Sequence, residues 1–71
     1  MKDIYNELIK VMNTSEIDSH ESDLYIKVNN KSKKLIDQYE FKQNVTTFKS
    51  NIDSSIWYEI PFAYKPFWNN K

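Results

Sequence analysis

Ile56-Trp57-Tyr58-Glu59-Ile60-Pro61-Phe62-Ala63-Tyr64-Lys65-Pro66-Phe67-Trp68 holds six of the chain's eleven aromatic residues and both of its prolines. Large rings bury much apolar area each and dominate cores and interfaces. The first five residues of this stretch read as a strand. Pro61 stops it, because proline has no N–H to give to a sheet ladder. Along that strand Ile56, Tyr58 and Ile60 share one side, which puts Trp57 and Glu59 on the other. After Pro61 the two prolines fix their own φ and bias the preceding residues away from helix, which predicts an extended aromatic tail over residues 62–71.

Working back from this stretch, Val45-Thr46-Thr47-Phe48-Lys49 is rich in β-branched residues and predicts a partner strand. The loop from Asn51 to Ser55 suits a hairpin, with Asn51 and Asp53 the expected positive-φ positions in a chain without glycine. Leu35, Ile36 and Tyr39 form the apolar face of a helix capped by Asn30 or Ser32. Lys31, Lys33 and Lys34 fall in its expected first turn, where the helix dipole disfavours positive charge. Leu24-Tyr25-Ile26-Lys27-Val28 alternates as a half-buried strand. Residues 14–22 read as an acidic linker with one apolar residue, Ile17. Over residues 1–13, Ile4, Tyr5, Leu8, Val11 and Met12 follow the spacing of one helical stripe.

The expected fold is therefore a single α+β domain over residues 1–71. Its order is α-β-α-β-β, with a β-α-β-β unit over residues 23–61. A three-stranded sheet carries helices on one face. Strand order stays open at this stage. If the first two strands are parallel neighbours, the second helix is a right-handed crossover.

A chain of 71 residues buries only about 60 % of its unfolded surface, so rings must supply much of its core. No cysteine is present, which excludes disulfides and thiolate metal sites. Apolar content of 39 % is low, but aromatic content of 15 % argues for a folded domain over a disordered one. The absence of glycine excludes a glycine-rich phosphate loop and the Gly-x-Ser-x-Gly nucleophile elbow. His20, the single histidine, lies in Asp18-Ser19-His20-Glu21-Ser22-Asp23. Adjacent positions on a polar loop seldom converge on one atom, so neither a metal, a cofactor nor a catalytic residue is expected. A domain this small also has little room for a substrate cleft of several hundred Å3, and no enzymatic activity is expected. The start of the chain shows no secretory signal and no apolar run reaches the length of a membrane span, which predicts a cytoplasmic protein without membrane contact.

Net charge is zero, yet residues 1–23 carry −4 and residues 24–50 carry +4. All ten basic residues are lysine. Lys27, Lys31, Lys33, Lys34 and Lys49, beside Tyr25 and Phe48, are the candidate contacts for a nucleic-acid reading. Arginine, suited to bidentate phosphate and guanine recognition, is missing, which makes that the second reading. The first is a non-catalytic module that binds an unidentified protein partner. With helices on one face only, the side bearing Trp57 and Glu59 is bare unless the tail covers it. Trp57, Glu59, Tyr64 and Trp68 are the candidate contacts, and a homodimer through that face is expected if the tail leaves it open.

Ser22-Asp23-Leu24-Tyr25, Val45-Thr46-Thr47-Phe48 and Trp57-Tyr58-Glu59-Ile60-Pro61-Phe62-Ala63-Tyr64 resemble a family of short, mostly uncharacterised proteins of bacteriophages, prophages and mobile elements. The resemblance spans residues 18 to 68. It implies a bacterial or phage cytoplasmic setting, in which the interaction module is read as a phage-encoded modulator of a host protein. It supplies no activity, cofactor or site residue. Such proteins often have glycine where this hairpin has Ser54 or Ser55.

Overall fold

A computed structural model describes residues 3–19 and 22–68. The first helix, α1, spans Ile4–Val11. The Asp3 carboxylate caps it, accepting from the backbone N–H of Tyr5 at 3.1 Å and of Asn6 at 3.3 Å. Ile4 and Leu8 on its inner face are fully buried. A 3-10 turn at Thr14–Glu16 then leads into a strand, β1, at Ile17–Ser19.

That strand corrects the reading of residues 14–22 as a linker. Ile17 is buried and pairs opposite Ile26, so one apolar side chain anchors a three-residue edge strand. The next strand, β2, spans Leu24–Lys27, with Leu24 and Ile26 buried and Tyr25 and Lys27 half-buried on the other side.

The second helix, α2, spans Asn30–Ile36. Its cap is Asn29, one residue before the sequence reading. The Asn29 side chain accepts from the N–H of Lys31 and of Ser32, while the Ser32 hydroxyl accepts from the N–H of Asn29 at 2.9 Å. Ser32 is fully buried, and its hydroxyl donates to the Lys27 carbonyl at 2.9 Å. This capping box ties the helix to the end of β2. Because α2 has only two turns, Lys33 and Lys34 belong to its last turn. There the dipole favours a cation, so the expected conflict is lifted for these two and remains only for Lys31 in the first turn.

A 3-10 segment at Glu40–Asn44 carries the buried ring of Phe41. Two further strands follow, β3 at Thr46–Lys49 and β4 at Ile56–Ile60. Ser50 and Ser55 close the hairpin, with the Ser50 N–H donating to the Ser55 carbonyl at 2.7 Å. The positive-φ residue is Ser54, at 65°, in place of Asn51 or Asp53. The Ser54 N–H donates to the Ser50 carbonyl, which winds residues 51–53 as a helical turn and leaves the last loop residue to reverse the chain.

The sheet has four strands in the order β1-β2-β4-β3, antiparallel throughout, where three strands were expected. β2 and β3 run parallel to each other, but β4 lies between them. Leu24 stands opposite Ile60 and Ile26 opposite Tyr58. These apolar positions face α1 and α2, and one core forms from Leu24, Ile26 and Ile60 with Ile4, Leu8 and Leu35 among others.

The expected extended tail is also corrected. Phe62–Tyr64 forms a 3-10 turn and Lys65–Trp68 a short helix, α3, packed on α1. Proline is tolerated in the first turn of a helix, where its missing N–H has no intrahelical acceptor to lose, so Pro66 does not prevent α3. Trp68 is 2 % exposed and plugs the core, which removes it from the candidate contacts. Phe67 is half-buried and meets the Phe41 ring edge-on at 5.1 Å. Phe62 is exposed, with the Lys65 ammonium 5.2 Å from its ring. No helix among the described residues is long and apolar enough to cross a membrane.

Candidate functional site: the open face of the sheet

The helices and the described part of the tail, residues 62–68, lie on the side of the sheet that Leu24, Ile26 and Ile60 face. Alternation sends Tyr25, Lys27, Phe48, Trp57 and Glu59 to the other side. The register sets them in two rows. Asp18, Tyr25, Glu59 and Thr46 stand side by side across the strands, and Lys27, Trp57 and Phe48 form the second row.

Hydrogen bonds and ring contacts hold this face in place. Tyr25 and Phe48 lie on strands separated by β4, and their rings meet above it edge-to-face at 5.4 Å and 85°. The Trp57 indole N–H donates to the Ser55 hydroxyl at 2.7 Å. That hydroxyl donates to the Asp53 carboxylate at 2.6 Å, and the Ser55 N–H donates to the same oxygen at 3.0 Å. The hairpin loop thereby fixes the indole plane.

Between the face and the hairpin lies a groove of about 820 Å3. Tyr25, Phe48 and Trp57 supply its apolar surface, and Ile52, 96 % exposed, stands at its hairpin side. Asp18, Asp53 and Glu59 supply three carboxyl groups to its lining.

The carboxyl groups differ in character. Hydrogen bonds from the Ser55 hydroxyl and N–H hold Asp53 below the ordinary carboxylate range, with Lys27 adding to the effect. Glu59 is pushed up, first by sharing a hydrogen bond with the Asp23 carboxyl, then by burial and by the charge of Asp23. The Tyr25 hydroxyl contacts Glu59 at 3.5 Å, and burial together with Glu59 raises the Tyr25 phenol. Asp23 also accepts from the Phe62 N–H at 3.1 Å, which links the tail's first turn to the edge of the site. Among the described residues no group of three or more His, Asp or Glu side chains is placed to hold a metal ion. His20 and Glu21 lie outside the described residues.

The predicted contact residues are thus divided. Trp57 and Glu59 share the open face. Tyr64 lies on the helix side, its ring 4.8 Å from Phe41 and its hydroxyl hydrogen-bonded to Asn44. It lines a second groove of about 560 Å3 with Tyr39 and Phe67. Among the lysines, Lys27 is on the open face. Lys31, Lys33 and Lys34 are exposed on α2, behind the sheet. Lys49 stands opposite Ile56, and therefore on the helix side at the β3 edge. The lysines do not form one basic face with Tyr25 and Phe48.

Asp18 and Asp53 did not emerge from the sequence as site residues. Asp18 reaches the groove only because residues 17–19 form a strand, and Asp53 only because the hairpin folds beside Trp57. Strand alternation could have placed Tyr25 and Phe48 beside Trp57 once the strand order was known.

No protein-family model matches the chain, and no curated protein or solved structure matches it either.

Proposed function

We propose that this protein is a non-catalytic interaction module that docks a partner protein on the open face of its sheet. One observation carries the reading. Three rings, Tyr25, Phe48 and Trp57, converge on an uncovered sheet face beside a groove. Tryptophan and tyrosine are enriched at interface hot spots, and a rigid ring loses little entropy on binding. In the phage setting that the sequence resemblance implies, the partner is a host protein and the module modulates it.

Among the described residues, 62–68 leave this face open, the condition under which a homodimer was expected. A symmetric pairing of two such faces would set the carboxyls of Asp18, Asp53 and Glu59 against those of the copy. That repulsion favours a different protein as partner. The nucleic-acid reading is weaker for the same reason. A strand stacking on Trp57 and Phe48 would lie beside carboxylates, while Lys31, Lys33 and Lys34 sit behind the sheet.

The test is a capture experiment from bacterial lysate, with and without nuclease, using the wild type and Trp57→Ala. A protein retained after nuclease treatment and lost with Trp57→Ala supports the reading. Retention that disappears with nuclease, falls steeply with salt and responds to Lys33→Glu supports nucleic-acid binding instead.

A further inference from the structure

The groove combines two features. Its apolar surface is aromatic, and its polar lining includes three carboxyl groups and no lysine. Resting on the docking reading above, we propose that the groove takes a lysine or arginine side chain from an extended basic segment of the partner protein.

The geometry suits a cation in three ways. Tyr25 and Phe48 stand at 85° to each other, so their faces form two walls of a corner. A cation within about 6 Å of a ring centroid is attracted by the ring's negative face. The Trp57 indole is held by its hydrogen bond to Ser55, so its ring is in place before a ligand arrives. Asp53, fixed by two hydrogen bonds from Ser55, is an ordered anion at the hairpin side. Glu59 and Asp18 stand in the same cross-sheet row, flanking Tyr25.

Charge decides between occupants. Asp18 and Glu59 flank Tyr25 in one cross-sheet row and Asp53 borders the same groove, so their charges repel one another and an incoming cation relieves that repulsion. An acidic segment, a phosphate or a second copy of this face would add to it. Lys27 neighbours Trp57 across β2 and β4 and lies close enough to Asp53 to stabilise its charge. It offsets one carboxylate and leaves the groove negative. A neutral apolar segment would fill the ring surface but bring no positive charge to offset the carboxylates it desolvates.

The experiment is selection of a random decapeptide library on the immobilised full chain, with Trp57→Ala used for counter-selection after its circular dichroism is shown to match the wild type. The expected result is enrichment of peptides rich in lysine or arginine. Their binding should weaken at least about tenfold in the Asp53→Asn/Glu59→Gln double variant, the scale expected on losing a charge-assisted contact, and should not change in Lys33→Gln. Enrichment of neutral or acidic peptides that still depend on Trp57 would overturn the basic-segment assignment and leave the docking face standing. Basic peptides indifferent to the double variant would also overturn it. A library in which every binder is shared with Trp57→Ala, so that counter-selection leaves no peptide, would overturn both.

Discussion

Replacing Trp68 by alanine should cost nearly all of the domain's stability, whereas replacing Trp57 should cost much less. Trp68 is 2 % exposed and sits among the buried side chains of the core, although it lies in a four-residue helix near the end of the described chain. A ring of this size buries roughly 150–250 Å2, which at about 25 cal/mol per Å2 amounts to ~4–6 kcal/mol. Part of that area was never exposed in a compact unfolded chain, and alanine keeps a little of it. Measured truncations of buried aromatic residues fall at about 3–5 kcal/mol. A domain of this length has on the order of 3–5 kcal/mol of core stability in total, so Trp68→Ala removes an amount comparable to the whole. At about 4–8 °C per kcal/mol, the melting temperature should fall by tens of degrees if a transition survives. Trp57 is partly buried and loses its cross-strand contact with Phe48 and its hydrogen bond to Ser55, together on the order of 1–2 kcal/mol. Urea titrations of the wild type and both variants should be followed by circular dichroism, because each substitution also deletes a fluorophore. A midpoint for Trp68→Ala close to that for Trp57→Ala would refute the assignment of the C-terminal turn to the core.

Three further outcomes are expected. Ser54 holds a left-handed conformation at φ 65° that costs a non-glycine residue roughly 1–2 kcal/mol, so Ser54→Gly should raise the melting temperature by several degrees; a decrease would mean that the serine side chain supports the turn. Tyr39 is pushed up to about 12 by burial and by its contact with Glu7, so the unfolded chain releases this proton before the folded one does. Stability should therefore fall as pH rises from about 10 to about 12, and Tyr39→Phe should lose that part of the slope; an absorbance titration showing Tyr39 ionising near 10 in the folded protein would contradict this. Glu59 is raised by Asp23, so the folded state holds its proton more tightly than the unfolded state and stability is lost as pH rises through the folded value. Glu59→Gln should melt higher than the wild type at neutral pH, with the advantage shrinking as pH drops below the carboxylate range. An advantage of equal size at every pH would point to packing as its cause.

Elements with a clear period were legible in the sequence. The stripe of Ile4 and Leu8, the alternation of Leu24 and Ile26, and the strand ended by Pro61 all appear in the fold. Elements too short to display a period were not. β1 has three residues and one buried side chain. α3 has four residues, and its Pro66 reads as a helix breaker unless its place in the first turn is known. The candidate site follows the same division. Trp57 and Glu59 separate from Ile56, Tyr58 and Ile60 by alternation alone. The addition of Asp18, Tyr25 and Phe48 depends on β4 lying between β2 and β3, which local periodicity does not encode. Trp68 was misplaced because one aromatic residue after a proline gives no sign of the surface it will bury.

The central position of β4 bears on how the chain can acquire its shape during synthesis. Among the described residues β3 pairs only with β4, and β2 pairs with β4 along its whole length, from Leu24 against Ile60 to Lys27 against Trp57. A nascent chain emerged as far as Ser55 therefore carries β2 and β3 with the gap between them empty and Trp68 still inside the exit tunnel. Helix α1 and the β1–β2 pair can form early, but β2 and β3 are joined only when Ile56–Ile60 slides between them. Such ordering disfavours a long-lived half-built sheet with stable exposed edges, because the residues that join its two sides arrive together with the ring that seals the core. Ribosome-bound chains ending near Ser55 should remain protease-sensitive throughout, and resistance should appear in a single step once residues through Trp68 have cleared the exit tunnel.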